Sequence, residues 1–214
     1  MRARVRMAGL AGAALLAALA GCGRGDGTLR IESEREGTYE IFDPSGNRLV
    51  ATAESGKDLA LPPGRYALFV NGAGALFHLR AGRQFEIRLA DFTVEGAGHD
   101  RYDVLDPTGQ HTLFSLPTGE GADLLTGRYQ ARLNGVSTPF SVAEGEAETL
   151  RAGTLLSPAD GPPIVTVFDT DGQRLLFRGA GKPIELLPGN YVAEYAGRKR
   201  TVTIREGEAT TLAP

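Results

Sequence analysis

The chain holds one cysteine, no tryptophan and three histidines among 214 residues. With a single cysteine no disulfide can form within it, although a small exported domain ordinarily uses cysteines in pairs. Without tryptophan it lacks the best side chain for stacking on a sugar ring, which weakens a carbohydrate-binding reading. Long apolar runs are missing after residue 20. Tyr66 to Phe77 carries no charge, but Asn71-Gly72 divides it in the manner of a hairpin turn. Helical 3.6-residue periodicity is missing as well, so strands and turns must build the fold. A basic excess is also absent. Beyond residue 21 there are 20 basic and 26 acidic residues, a net charge of −6, which argues against nucleic acid or anionic lipid as a main partner.

The first 21 residues differ in kind from the rest. Arg2, Arg4 and Arg6 form a basic start, and Met7 to Ala20 is uncharged and rich in Ala, Leu and Gly. Such a stretch has the length of a signal-peptide apolar region. As a helix it spans only ~21 Å, short of a ~30 Å hydrocarbon core, so cleavage is expected rather than permanent spanning. Leu19-Ala20-Gly21-Cys22 resembles the bacterial lipobox. That resemblance implies cleavage between Gly21 and Cys22 and a diacylglyceryl group on the Cys22 thiol. It also implies stable membrane anchoring by two or three acyl chains. Gly23 stands where an Asp tends to retain such proteins at the inner membrane, so the outer membrane is expected, with its periplasmic face and the cell surface both open.

A repeat organises the chain beyond the cysteine. Asp43-Pro44-Ser45-Gly46 recurs as Asp106-Pro107-Thr108-Gly109 and Asp169-Thr170-Asp171-Gly172. Pro63-Gly64-Arg65-Tyr66 recurs as Thr126-Gly127-Arg128-Tyr129 and Pro188-Gly189-Asn190-Tyr191. Asn71-Gly72, Asn134-Gly135 and Ala196-Gly197 keep the register, as do Gly82, Gly145 and Gly207. The steps divide the chain into a signal peptide (1–21), a lipidated tether (22–27) and three units (28–90, 91–153 and 154–214). In each unit an alternating apolar segment (Tyr39 and Ile41, Tyr102 and Val104, Val165 and Val167) precedes the Asp turn. Period-two alternation predicts a half-buried strand. Asp first, Pro second and Gly fourth predicts a type I turn, after which the chain reverses into Leu49-Val50, Leu113-Phe114 and Leu175-Leu176.

Six or seven short strands per unit, with closely spaced turns, predict an all-β chain of three tandem Greek-key sandwiches. Leu-x-Pro-Gly-x-Tyr resembles the tyrosine corner of such sandwiches, which gives Tyr66, Tyr129 and Tyr191 a structural hydrogen bond to upstream backbone. The unit resembles the prealbumin-like or carboxypeptidase-regulatory-like β-sandwich, found in tandem on bacterial envelope proteins. Units of about 60 residues are marginal alone, so contacts between neighbours and a stiff rod are expected, with joints at Leu89 to Phe92 and Gly153 to Pro158.

Chemistry is sparse. His78, His99 and His111 do not repeat and do not fall at metal-ligand spacing, so no metal site and no cofactor are expected. Asp169-x-Asp171-Gly172 starts like a calcium loop, but Ala180 stands where the last ligand should be, and the sister units make it a turn. Arg24-Gly25-Asp26 lies beside the lipid in a Gly-rich tether, where the membrane obstructs access. The clusters Glu144, Glu146 and Glu148, and Glu206 with Glu208, read as solvated turns. The expectation is a non-enzymatic, membrane-anchored scaffold that meets an unidentified envelope protein. A glycan- or ligand-binding module, hinted at by Tyr191 with Tyr195, is the alternative. An enzyme would have to draw on His99, Asp100, Asp103 and Asp106.

Overall fold

The computed structural model describes residues 25–97, 100–157, 164–180 and 183–212. Residues Gly21, Cys22 and His99 lie outside the described residues. Among the described residues every regular element is a strand, and three units of seven follow one another. The first comprises β1 (Gly27–Glu32), β2 (Thr38–Phe42), β3 (Leu49–Glu54), β4 (Asp58–Leu61), β5 (Gly64–Val70), β6 (Ala73–Leu79) and β7 (Gln84–Arg88). The second comprises β8 (Ala90–Glu95), β9 (Arg101–Leu105), β10 (Thr112–Pro117), β11 (Gly121–Leu124), β12 (Gly127–Leu133), β13 (Val136–Val142) and β14 (Ala147–Arg151). The third comprises β15 (Gly153–Leu156), β16 (Ile164–Phe168), β17 (Leu175–Ala180), β18 (Ile184–Leu186), β19 (Gly189–Tyr195), β20 (Arg198–Ile204) and β21 (Ala209–Thr211).

Each unit is a sandwich of a three-stranded and a four-stranded sheet, β4-β1-β7 on β3-β2-β5-β6 in the first, and the same orders in the other two. Alternation decides which side chains meet between the sheets. In β1, Leu29 and Ile31 point inward and are fully buried, while Arg30 and Glu32 point out. They pack on Tyr39, Ile41, Tyr66, Leu68, Phe77 and Leu79 from the facing sheet. Burial of each such aliphatic side chain is worth about 1.5–3 kcal/mol. The cores of the second and third units merge into one continuous apolar cluster, and Ala73 touches both that cluster and the core of the first unit.

The Asp turns close as i to i+3 turns, with Gly46, Gly109 and Gly172 donating to Asp43, Asp106 and Asp169. After each turn the strand carries one extra residue. Phe42 faces Leu49 and Ile41 faces Ala51, so Val50 is the bulged residue. Leu113 and Leu176 are bulged in the same way. The structural equivalents are therefore Val50, Leu113 and Leu176, and the matching of Leu113-Phe114 to Leu49-Val50 is one residue out of register.

First and last strands of every unit run parallel, β1 with β7, β8 with β14 and β15 with β21. The chain therefore enters a unit at one end and leaves it at the other, which sets the units in series. Each link is one residue. Leu89 donates its N–H to Glu32 and Ala152 to Glu95, both at 2.8 Å. The joint expected at Leu89 to Phe92 shortens to Leu89 alone, because β8 begins at Ala90, and the one expected from Gly153 to Pro158 falls at Ala152, because β15 begins at Gly153.

The hairpins after β5, β12 and β19 use two-residue turns with positive φ at both positions: 45° and 82° at Asn71-Gly72, 48° and 78° at Asn134-Gly135, and 50° and 73° at Ala196-Gly197. Asn and Gly tolerate that region and Ala does not. Replacing Ala196 with Asn is expected to stabilise the third unit by about 0.5–1 kcal/mol, read as a higher denaturation midpoint with an unchanged m-value.

Candidate functional site

The residues that are polar, buried and repeated lie at the two joints between units. In the three sheets that contain the first strand of each unit, β4 is half exposed, whereas β18 is buried throughout and β11 at all but its first residue, Gly121. The preceding unit covers the latter two. At their centres stand Asp123 and Glu185, 7% and 2% exposed, in the register that Ala60 occupies in the first unit.

At the first joint the Asp123 carboxylate is held from across the boundary. Its Oδ1 accepts from the Ser33 hydroxyl and its Oδ2 from the Tyr39 hydroxyl, each at 2.7 Å. The Asn71 side chain donates to the Asp123 backbone carbonyl at 2.9 Å. Asp123 gathers three donors, all from the first unit. A half-exposed ion pair, Arg35 to Asp91 at 2.7 Å, borders the same joint. The second joint repeats the plan with a longer acid. Glu185 Oε2 accepts from Thr118 at 3.0 Å. Asn134 donates to the Glu185 carbonyl at 2.9 Å and to Asp100 at 2.7 Å. The third unit has Ala196 in place of the Asn, and it is exposed.

The glycine of each hairpin allows close approach. A Cβ on Gly72 would lie 3.2 Å from the Leu113 carbonyl oxygen, and on Gly135 only 2.3 Å from that of Leu176. The same atom on Gly197 would meet nothing within 4 Å. The bulged residues of the second and third units thus receive the Asn-Gly turn of the unit before. The outward ends of the array carry Ala at both polar positions.

Tyr66, Tyr129 and Tyr191 are buried, and each donates to the carbonyl four residues upstream: Pro62 at 2.6 Å, Leu125 at 2.7 Å and Leu187 at 2.6 Å. Burial raises the pKa of all three and pushes Tyr191 up to about 12. Burial, reinforced by Asp123, also pushes Tyr39 up to about 12. A phenol whose folded pKa lies above its unfolded value of about 10 stabilises the fold fully below pH 10, and that contribution is lost as pH rises through the folded value. Denaturant midpoints are therefore expected to hold from pH 7 to about 10 and to fall between about 10 and 12; a flat profile across that window would contradict this assignment.

The remaining candidates from the sequence do not converge. Tyr195, like Tyr191, is buried in the core. Asp103 is clamped by Arg132 at 2.7 Å, and Asp100 is taken by Asn134. Asp106 caps its own turn. Desolvation works against its ionised form, but the His111 ring, the Thr108 hydroxyl and the His111 and Gln110 N–H groups outweigh it and lower its pKa to about 2. These three aspartates serve different partners. Asp169 likewise accepts from the Gln173 N–H inside its turn at 2.9 Å. Among the described residues no group of three or more His, Cys, Asp or Glu is placed to hold a metal, and no helix is long and apolar enough to cross a membrane.

No protein-family model matches the chain, and no curated protein matches it. Among solved structures it is similar to the Bacillus anthracis TIE protein, with 16% identity and a TM-score of 0.25, over 87% of this chain and 50% of that one. The chain thus spans half the length of that structure. What it does must be read from its own residues.

Sequence reading missed the buried acids of the joints, although an anomaly marks them. Ala122-Asp123-Leu124-Leu125 and Ile184-Glu185-Leu186-Leu187 each set an acid inside an apolar run where the first unit has Ala60. A charge at the centre of this strand in the second and third copies, where the first has Ala60, fits a surface that the preceding copy covers.

Proposed function

We propose that this protein is a lipid-anchored scaffold of the bacterial cell envelope. Cleavage follows Gly21, Cys22 carries the acyl chains, and three sandwiches of the prealbumin-like or carboxypeptidase-regulatory-like kind stand in series as a stiff spacer with a protein partner. The observation that carries this reading is the pair of joints. Buried acids and Asn-Gly turns lock neighbouring units, and such locking is useful to a protein that must hold its far end at a fixed place relative to its anchor. One-residue links and parallel first and last strands support it. The outer membrane is the proposed site, and no catalytic role is proposed.

Tyr191 and Tyr195 are core side chains and lend the glycan- or ligand-binding alternative no support. Mass spectrometry of the protein from bacterial membranes tests the anchor. The expected N-terminal peptide begins at Cys22 with diacylglyceryl and acyl mass, and Cys22→Ser is expected to stay unprocessed and unlipidated. An unmodified thiol at Cys22 would overturn the reading. Protease shaving of intact and permeabilised cells then distinguishes the periplasmic face from the cell surface.

A further inference from the structure

The three units share a fold, so their differences at equivalent positions point to what one unit does alone. At the open side of the first sandwich, β6, the following turn and β7 border a groove of about 590 Å³. Leu76, Phe77 and Phe85 form its apolar part and His78, Arg80 and Arg83 its polar rim. Leu76 is 72% exposed and Phe85 37%. Phe85 is held by stacking on Phe77, ring centroids 5.5 Å apart at 12°. In the second unit the equivalents of Leu76, Arg80, Arg83 and Phe85 are Pro139, Ala143, Glu146 and Glu148; in the third they are Thr201, Arg205, Glu208 and Thr210. Apolar side chains with two arginines thus belong to the first unit only. Neither Arg80 nor Arg83 makes an ion pair among the described residues.

The chain arrives at this groove from the N-terminus. Gly82 donates its N–H to Asp26 at 3.1 Å, and Thr28 donates to Arg83 at 2.9 Å. Cys22 lies four residues before Asp26, so its Cα can be no more than ~14 Å along the chain from the residue that bonds the turn between Arg80 and Arg83. Charge is also partitioned. Residues 27–89 hold eight basic and eight acidic side chains, residues 90–152 four and ten, and residues 153–214 seven and seven. The net −6 that argues against anionic lipid belongs to the middle unit.

We infer that this groove is a membrane-contact surface, with Leu76 and Phe85 at the acyl boundary and Arg80 and Arg83 on the phosphates of anionic lipids. Aromatic and aliphatic side chains seat at the interfacial level, and arginine matches phosphate. A short tether keeps the groove at high local concentration over the bilayer, so a weak surface contact is populated. The first unit then lies against the membrane and fixes the direction in which the other two project. This inference rests on the lipid-anchor reading for its setting.

The absence of tryptophan supplies the test. Gln84→Trp, Ala147→Trp and Ala209→Trp place one fluorophore at equivalent exposed positions of the three units. Each variant of the mature full chain is coupled through the Cys22 thiol to a maleimide lipid in vesicles containing phosphatidylglycerol and brominated phosphatidylcholine. Coupling in this way makes the result independent of lipidation in the cell. Quenching is expected at Gln84→Trp and not at the other two. Adding Arg80→Glu and Arg83→Glu should weaken the contact on the order of 25-fold, about fivefold per arginine, and remove the quenching. Equal quenching at all three sites, or none, overturns the inference. A Gln84→Trp emission that shifts blue with protein density but is not quenched by bromine assigns the groove to a second copy, which overturns it too. If Cys22 from cells proves unmodified while the coupled chain is quenched, the anchor reading fails and the surface stands.

Discussion

Gly135→Ala is expected to destabilise the pairing of the second and third units by about 3 kcal/mol, whereas Gly197→Ala should cost about 1 kcal/mol. Both glycines sit at the second turn position of equivalent hairpins, with φ of 78° and 73°. The left-handed penalty for an L side chain is therefore common to the two substitutions. They differ in what surrounds the new methyl group. At Gly135 it would lie 2.3 Å from the Leu176 carbonyl oxygen and 3.0 Å from the carbonyl carbon, both backbone atoms of a bulged strand that cannot rotate aside. At Gly197 it would meet nothing within 4 Å. Relief at residue 135 requires the hairpin to withdraw, which also breaks the Asn134 bond to the Glu185 carbonyl. Denaturant unfolding of the two variants beside the parent chain measures the difference. Equal costs would mean that the hairpin does not hold the joint.

Asp123→Ala is the second large effect, again about 3 kcal/mol. The mechanism is the loss of an acceptor. Ser33 and Tyr39 both give their hydroxyl protons to this carboxylate, and a buried hydroxyl left without a partner costs about 1–3 kcal/mol. A cycle with Tyr39→Phe isolates the pair. Because the phenol no longer needs an acceptor in that background, Asp123→Ala should cost less there, with a coupling of about 1–2 kcal/mol. Ala60→Asp, at the same register on the exposed strand of the first unit, is expected to change stability by less than about 0.5 kcal/mol. A cycle with no coupling would show that Tyr39 and Asp123 are not hydrogen-bonded in the folded chain.

Much of this fold is visible in the sequence because turns carry it. Asp-Pro-x-Gly and Asn-Gly demand particular backbone angles, so their recurrence at steps of 63 and 62 residues fixes where strands begin and end. Tyr39 and Ile41, or Tyr102 and Val104, alternate with polar residues, so the inward face follows. The bulge at Val50, Leu113 and Leu176 was not legible, since an extra residue on one strand changes register without changing composition. The joints were only partly legible. Asn71 and Asn134 read as good turn residues, and their second role, bonding the next unit, depends on which strand of that unit lies opposite. The links were drawn too long for a related reason: Leu89 to Phe92 has no turn chemistry, but a single residue between two extended strands needs none. The character of the first unit's groove was hidden by averaging, since a net charge summed over the chain conceals a neutral first unit beside an acidic second one.

A distance between the outer units tests the account most directly. Spin labels at Glu40→Cys and Thr201→Cys, both exposed sheet-face positions, in a mature chain carrying Cys22→Ser, report how the first and third units are held in solution by pulsed dipolar spectroscopy. Locked joints predict one narrow distance distribution that broadens on Gly135→Ala. A broad distribution in the parent chain, unchanged by that substitution, would contradict the stiff, jointed array on which the proposed scaffold function depends.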